Sequence, residues 1–495
     1  MSAVLSRRRL FKAAGAGLLG GALAACGATP TPQVIKEVVT QVVEKEVTKI
    51  VEGTSVVEVV KETVVVEQTV VVEKEKVVEA TAEKVTLRYG VYSGWWVDTY
   101  KSELFPPFTE EYPNIEVQVE DAPWEQYWPR FESQAAAGIA PDLQIGDPFK
   151  IARYCDKGIY LATQPFIDRD GVDLKAYVPV ALEACYYDVA TGLVGQGVIY
   201  GFPSTYVGTV LYYNKDLFDA AGVAYPTDEW TRVEFQDAAT KLTKDKSGKR
   251  ADEAGFDPQS VDVYGVSTIG GYSTATHLWN NGGGLVSEDG RECWISKPES
   301  VEIFQWLGDL INKHYVNPPT VWFEGQPDVF LTQKIGMKLD GTWNVDFYCT
   351  EAKDFKFDIA NPPLGTAGLP RVTYSGTNTN HIYSQTKHQE ESWTCLNWLA
   401  GPGGMTFYST MGPPGLISIA ESVYKKGACP EHRAVASDIG NYSHNYYPNR
   451  GNDRWKEIYN QLIQAVYLDQ ASAAEVCAGI CEKVQPILDE VAAQA

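Results

Sequence analysis

Cations are scarce in this chain. Its 495 residues carry 42 Lys and Arg against 64 Asp and Glu, a net charge of −22. Binding to nucleic acid relies on Lys and Arg set against phosphate, so no nucleic-acid partner is expected. Nor is there a polybasic patch for anionic lipid headgroups. The six histidines are scattered, with no HExxH and no Cys/His cluster, so no zinc centre is expected. No CxxC, no GxSxG and no GxxxxGK[ST] loop occurs, which removes a redox dithiol, a serine-nucleophile elbow and an ATP cradle. Asp245 to Asp252 reads DKSGKRAD; it lacks calcium-loop spacing and holds three cations, so no metal site is expected. Long apolar runs are also missing near the N-terminus. Phe11 to Ala25 is rich in Gly and Ala and falls short of the roughly 20 apolar residues a spanning helix needs.

That short run has a different meaning in context. Gly15 to Gly20 reads GxGxxG, but arginines precede it where a dinucleotide fold needs a strand, so no cofactor is expected. Arg7 to Arg9 form a charged n-region ahead of the apolar stretch. Ser6 to Lys12, SRRRLFK, resembles the twin-arginine export signal. Leu23-Ala24-Ala25-Cys26 resembles a bacterial lipobox, which implies cleavage after residue 25 and lipid on Cys26. Several acyl chains hold a protein on a membrane where one does not. The expected location is the outer face of the cytoplasmic membrane or the periplasm.

Removing Cys26 leaves eight cysteines, and an even count outside the cell permits disulfides. Eight allow 105 pairings, so none is assigned. Cys477 and Cys481 lie four apart on an expected helix, a poor geometry for a bridge. Buried thiols are the simplest reading for most of the eight.

Residues 26–83 read as a stalk. From 34 to 82 the chain is almost all Val, Glu, Lys and Thr, with no aromatics. Val34, Val38 and Val42, then Val43, Val47, Ile50 and Val51, step at helical spacing. After Gly53, Val64 to Val66 and Val70 to Val72 favour extended chain. Such a segment cannot bury a core alone. Fully extended it reaches on the order of 150 Å.

From Lys84 the pattern changes. KVTLRYGVY, NIEVQVEDA and PDLQIGD alternate as strands, with helical segments between them. That order predicts an α/β fold with a mainly parallel sheet covered on both faces. Ligands in such folds sit beyond the carboxyl ends of the strands. Those ends carry Trp95 and Trp96, Trp124, and Asp147. Thr231 with Glu234, Ser296 with Glu299, and Thr386 with Gln389 read as capping boxes. Trp455 to Val466 and Val476 to Ile487 read as amphipathic helices.

Several long stretches then point one way. Tyr200 to Gly222, YGFPSTYVGTVLYYNKDLFDAAG, resembles a long motif of the family 1 extracellular solute-binding proteins, the sugar-binding subunits of ABC importers, similar to the maltose-binding type. PFTEEYPNIEVQVEDAPWEQYWPRFESQAAAGIAPDLQIGDP, LWNNGGGLVSEDGRECWISKPESVEIFQWLGDLI, KIGMKLDGTWNV and SQTKHQEESWTCLNWLAGPGG are similar to further family segments, in order, from about residue 84 to the C-terminus. The resemblance implies a two-lobed periplasmic-binding-protein type II fold with three hinge crossings. These are expected near Tyr206–Leu211, Tyr374–His381 and Asn441–Tyr447. Lobe one is expected at 84–206 and 380–440, lobe two at 207–375 and 445–495. The family implies no catalysis. It implies a small solute, usually a sugar, a membrane permease, and a separate ATPase subunit as partners. A peptide, polyol or glycerol phosphodiester remains an alternative solute. A lipid-anchored glycoside hydrolase or a stalked adhesin are more distant readings. One departure stands out: the second crossing reads SGTNTNH, polar where the family is glycine-rich and apolar.

A sugar presents an apolar face and a rim of hydroxyls, and aromatic rings with a few polar groups suit both. The candidate ligand contacts are Trp95, Trp96, Trp124, Asp147, Tyr206, Trp279, Trp343, Asn378 and Tyr447. Trp279 and Trp343 are chosen on the resemblance, Tyr206, Asn378 and Tyr447 on their hinge positions. Trp230 is expected to staple a helix. Trp306, Trp393 and Trp398 are expected in the core.

Overall fold

The computed structural model describes residues 33–49, 60–76, 83–94, 96–323, 328–365, 368–445 and 449–494. The chain divides into two compact units, 1–83 and 84–495. In the first, Gln33–Lys49 and Val60–Lys76 are strands paired antiparallel in unbroken register, from Gln33 opposite Lys76 to Lys49 opposite Val60. This corrects the helical reading of Val34 to Lys49. Valine loses side-chain freedom in a helix and fits a pleated strand, and the helical spacing of the stripe does not outweigh that preference. Cys26 and the export signal lie outside the described residues.

The second unit opens as its sequence predicts. Val85–Tyr92 lies between Ile115–Ala122 and Leu143–Gly146, all parallel. The helical segment from Val97 to Glu111 winds wide over Tyr100–Leu104, just before Pro106 and Pro107. Those prolines lack the N–H groups that would close ordinary α turns there.

The strand Gly201–Asn214 is buried along all 14 residues. It pairs antiparallel with Thr373–Ile382 and, farther along, with Ile335–Gly341 and Phe357–Ala360. Val261–Ser267 joins parallel to Ile335–Gly341. These strands belong to one ten-stranded sheet shared by two lobes, each with its own core. One core draws on Leu87 to Phe202 and Ile382 to Leu416. The other draws on Val207 to Tyr374 and Trp455 to Leu488. Gly201–Asn214 and Thr373–Ile382 therefore carry the chain between lobes in opposite directions. Ser443–Asn445, parallel to Thr373–Ser375, precedes the return to the second lobe at helix Asn452–Leu462. The result is the mixed α/β two-lobed architecture.

A third cluster sits behind the crossings, where Tyr206, Tyr212, Tyr348 and Ile439 pack together. There Cys429 is bridged to Cys349, and Arg433 Nη1 lies 2.7 Å from the Asp346 carboxylate. A second bridge joins Cys293 to Cys481. Cys155, Cys185, Cys395 and Cys477 remain buried thiols. The Thr231–Glu234 capping box forms. The other two do not: helices Pro298–Asn312 and Gln389–Ala400 start after Lys297 and His388. Asp245 turns its carboxylate inward on the Ser247 and Lys249 amides, the work of a turn. Among the described residues no helix is long and apolar enough to cross a membrane.

Candidate functional site

The crossing strands line a cavity of about 460 Å³ that both lobes enclose. From the first lobe come Tyr92, Trp96 and Trp124; from the second, Tyr272, Trp343 and Phe347. Tyr92 is the last residue of its strand, and it gathers its neighbours edge-on. Trp96 and Trp124 approach it at ring centroid distances of 5.5 and 5.0 Å. The Trp96 indole donates to the Tyr92 carbonyl at 3.1 Å, which fixes the ring at the strand end. Trp124 remains 41% exposed, so its outer face is open to a ligand.

On the opposite wall, Tyr272 opens helix Gly271–Asn280 and meets Trp343 edge-on at 5.4 Å. The Trp343 ring occupies the space a side chain on Gly341 would need, so glycine there sets the indole's position. Gly376 is constrained likewise, because the Tyr374 ring lies over it. Phe149 and Tyr272, one from each lobe, stack at 6.3 Å with 23° between planes.

Polar groups are few and aimed. The Tyr92 hydroxyl donates to Asn378 Oδ1 at 3.3 Å. Asn378 stands opposite Thr205 on the cavity face, whereas Thr377 pairs with Tyr206 and shares its face, fully buried and turned away from the cavity. Farther along the second crossing, Asn380 and His381 are used internally. Asn380 accepts from Tyr89 and donates to Tyr408 at 3.2 Å, and His381 stacks on Tyr160 at 3.9 Å.

Asp147 is 7% exposed and accepts the Phe149 N–H at 2.8 Å. Burial pushes its carboxyl up from 3.8 to about 6, only partly opposed by that bond and by Lys456 and Lys150. Lys456 sits 3.7 Å above the Phe149 ring, and burial pulls its ammonium down to about 8. Asp453, beside it, lies 3.5 Å from both Lys150 and Arg153 of the other lobe. These groups form a charged seam across the mouth.

The raised acid has a measurable consequence. Between about pH 4 and pH 6 the folded chain keeps a proton on Asp147 that the unfolded chain has released, so stability falls as pH rises through that window. Asp147→Asn should remove this fall and raise stability near pH 7 by roughly 1–3 kcal/mol. Urea unfolding of both proteins from pH 4 to 7.5 reads it. Identical slopes would contradict the assignment.

Of the expected contacts, the structure brings Trp96, Trp124, Asp147, Trp343 and Asn378 to this cavity. Trp95 and Tyr447 lie outside the described residues. Tyr206 is not at the site. It is 1% exposed, packs in the third cluster, and its hydroxyl donates to the Ser437 carbonyl at 2.6 Å. Alternation along the strand turns Thr205 and Val207 to the cavity and Tyr206 away from it. Trp279 lines a different cavity, beside His444. Sequence reasoning passed over Tyr92, Phe149, Tyr272, Phe347 and Tyr374. The first three carried a signal: each ends a strand or follows one at the crevice. Tyr374 opens the expected second crossing and carried the same hinge signal as Asn378; Phe347 carried none. Trp393 is core, its indole donating to Asp170 at 2.6 Å, and Trp306 and Trp398 are half-buried beside the two main cores. Trp230 packs against the second-lobe core.

Residues 93–406 match the family model described as bacterial extracellular solute-binding protein. A binding protein of Brucella abortus (strain 2308) is 25% identical over 307 residues, 61% of this chain and 68% of its own length. Among solved structures, the Listeria monocytogenes ABC substrate-binding protein Lmo0181, in complex with cycloalternan, superposes with a TM-score of 0.72 at 22% identity, over 82% of this chain and all of that one. The GacH receptor of Streptomyces glaucescens, studied unliganded and with acarbose, gives a TM-score of 0.66 at 18% identity, over 82% and 98%. The family model and these neighbours describe binding proteins, not enzymes.

Proposed function

Because this chain belongs to the bacterial extracellular solute-binding protein family, we propose that it captures a sugar or oligosaccharide between two closing lobes and presents it to the permease of an ABC importer. Two aromatic walls, one on each lobe, face a shared cavity whose strand-lined side offers Asn378, and that observation carries the reading. Rings cover the apolar face of a pyranose, and burying one face on an indole contributes roughly 1–2 kcal/mol. Asn378 and Asp147 orient the hydroxyl rim. The ligands of the Listeria and Streptomyces neighbours, cycloalternan and acarbose, are of this chemistry.

Closure follows from the same geometry. A ligand touching both walls binds the closed arrangement better than the open one, and only that difference shifts the equilibrium. The seam from Asp453 to Lys150 and Arg153 would favour closure modestly, because its members are partly solvated. Asp453→Ala should weaken solute binding by about two- to fivefold at low salt and leave it unchanged in 0.5 M NaCl. Titration calorimetry at the two salt concentrations tests this, and a salt-independent loss would count against a latch.

Lipid on Cys26 would hold the binder beside its permease on the outer face of the membrane, with the ATPase as a separate subunit. Cys26→Ser should move the protein from the membrane fraction to the soluble one. An unchanged distribution would remove the anchor. The reading as a whole is tested by thermal shift across mono- and oligosaccharides, since a ligand at 100 times its Kd adds about 2.7 kcal/mol of stability. No stabilisation by any saccharide, with stabilisation by a peptide or polyol, would reassign the solute. Reducing ends released from an oligosaccharide would make it a hydrolase.

A further inference from the structure

The valine-rich unit is a sheet of only two strands, Gln33–Lys49 and Val60–Lys76, 17 residues each. Among the described residues no strand pairs with the outer edge of either. Two strands alone are marginal in water, and a third or fourth with an apolar face makes a sheet stable. Edges that must stay single are blunted by proline, by bulges, by short length or by unmatched charge. Val60–Lys76 contains neither Pro nor Gly, and it presents roughly 55 Å of strand edge.

The sequence of that edge is complementary to itself. Set it against a second copy, antiparallel, with a twofold axis at Gln68. Val64, Val65 and Val66 then stand opposite Val72, Val71 and Val70, Lys61 opposite Glu75, and Glu62 opposite Lys74. The symmetry repeats each of these pairs, and no like charges meet. Opposite charges and β-branched residues facing across strands are favourable, and like charges are not. Neighbouring registers match less well. A shift one way sets Glu67 against itself; a shift the other way sets Val64 and Val65 against Lys74 and Glu73.

The pairing already present extends the match. Val39 stands opposite Val70 and Val43 opposite Val66, with Gln41 opposite Gln68 between them. Across four strands these become two rows of Val39, Val70, Val66 and Val43, flanking a row of four glutamines, all on one face. The other edge is the poorer match: turned about Gln41, it sets Val38 against Glu44.

We propose that the Val60–Lys76 edge is a self-association surface, where two copies of this chain join antiparallel about Gln68 in one four-stranded sheet. Such a contact is isologous, so it closes at two copies. Sedimentation equilibrium of the full chain in mild detergent tests it, and the parent should have the mass of two chains. Glu62→Lys sets Lys against Lys74 and Lys74→Glu sets Glu against Glu62, twice per dimer, so each variant alone should raise the dimer Kd at least tenfold. Within its own sheet Glu62 stands opposite Val47 and Lys74 opposite Ile35, so neither change breaks a charge pair there. Mixed in equal amounts, the two variants restore opposite charges at both positions, and the two-chain mass should return. A variant that had merely lost its fold would not be rescued in this way. Gln68→Cys should also link two copies under mild oxidation, because directly opposed residues have Cα atoms about 5 Å apart, within bridging distance. Thr63→Cys, opposite Glu73, should not link. A parent of one-chain mass, a dimer that both single variants leave intact, a mixture that stays monomeric, or equal linking at residues 63 and 68 would each overturn the proposal. An assembly that grows beyond two chains would overturn the closed dimer.

Discussion

Trp343→Ala should weaken saccharide binding by about 30- to 100-fold, the size expected of a buried aromatic anchor. The indole stands on Gly341, braced edge-on by Tyr272, in the wall opposite Trp96 and Trp124. Truncation removes the flat surface and leaves a gap that water must fill while the ligand is bound. Trp343→Phe, which keeps a smaller ring, should lose about five- to tenfold. Gly341→Ala offers an independent check. It leaves the tryptophan in place but puts a methyl group where the ring now lies, so affinity should drop without any loss of aromatic surface. Calorimetry with the best saccharide from the thermal-shift panel measures all three. An alanine variant within threefold of the parent would mean that Trp343 is a bystander and that the ligand sits elsewhere.

The second large effect concerns the bridges. Replacing Cys349 and Cys429 by alanine should cost about 3–4 kcal/mol, because the bridge closes a loop across a separation of 80 residues in the unfolded chain. The same double replacement at Cys293 and Cys481, separated by 188 residues, should cost slightly more, since closure entropy grows slowly with length. Denaturant unfolding with and without a reductant reads both effects. The reductant should destabilise the parent and leave a variant lacking both bridges unchanged. The four buried thiols should stay unmodified by an alkylating agent until the chain unfolds. A parent indifferent to reductant would contradict the pairing.

Much of this architecture could be read from residues alone, and the reasons for success and failure are physical. The alternation of Val85–Tyr92, Ile115–Ala122 and Leu143–Gly146 is a strong period-two signal, and the rule about strand ends then finds Trp96, Trp124 and Asp147. Tyr206 failed because a position in a crossing strand does not say which side its ring takes; a shift of one residue moves it from cavity to core. Trp279 lies on a helix that does border the first cavity, but seven residues carry it from Tyr272 to a different one. Disulfide pairing is a long-range fact that no local pattern encodes. Cys293 and Cys481 meet only because the C-terminal helix Ala473–Ala493 packs in the second-lobe core. In the valine-rich segment the spacing before Gly53 suits a helix and the valine runs after it suit a strand, and the shape of the side chain decides for both halves.

That last segment has a mechanical consequence. Gln33 faces Lys76, so the chain leaves the ribbon beside the point where it joined it. Were Cys26 lipidated as proposed, the two strands, however long, would add almost nothing to the tether between it and Lys84. Its length comes from the short flanks at 26–32 and 77–83, about 14 residues, or at most roughly 50 Å. With the proposed lipid on Cys26, trimming equal numbers of residues from both strands would therefore leave the binder's reach from that lipid unchanged, whereas a few glycines inserted in either flank would widen it.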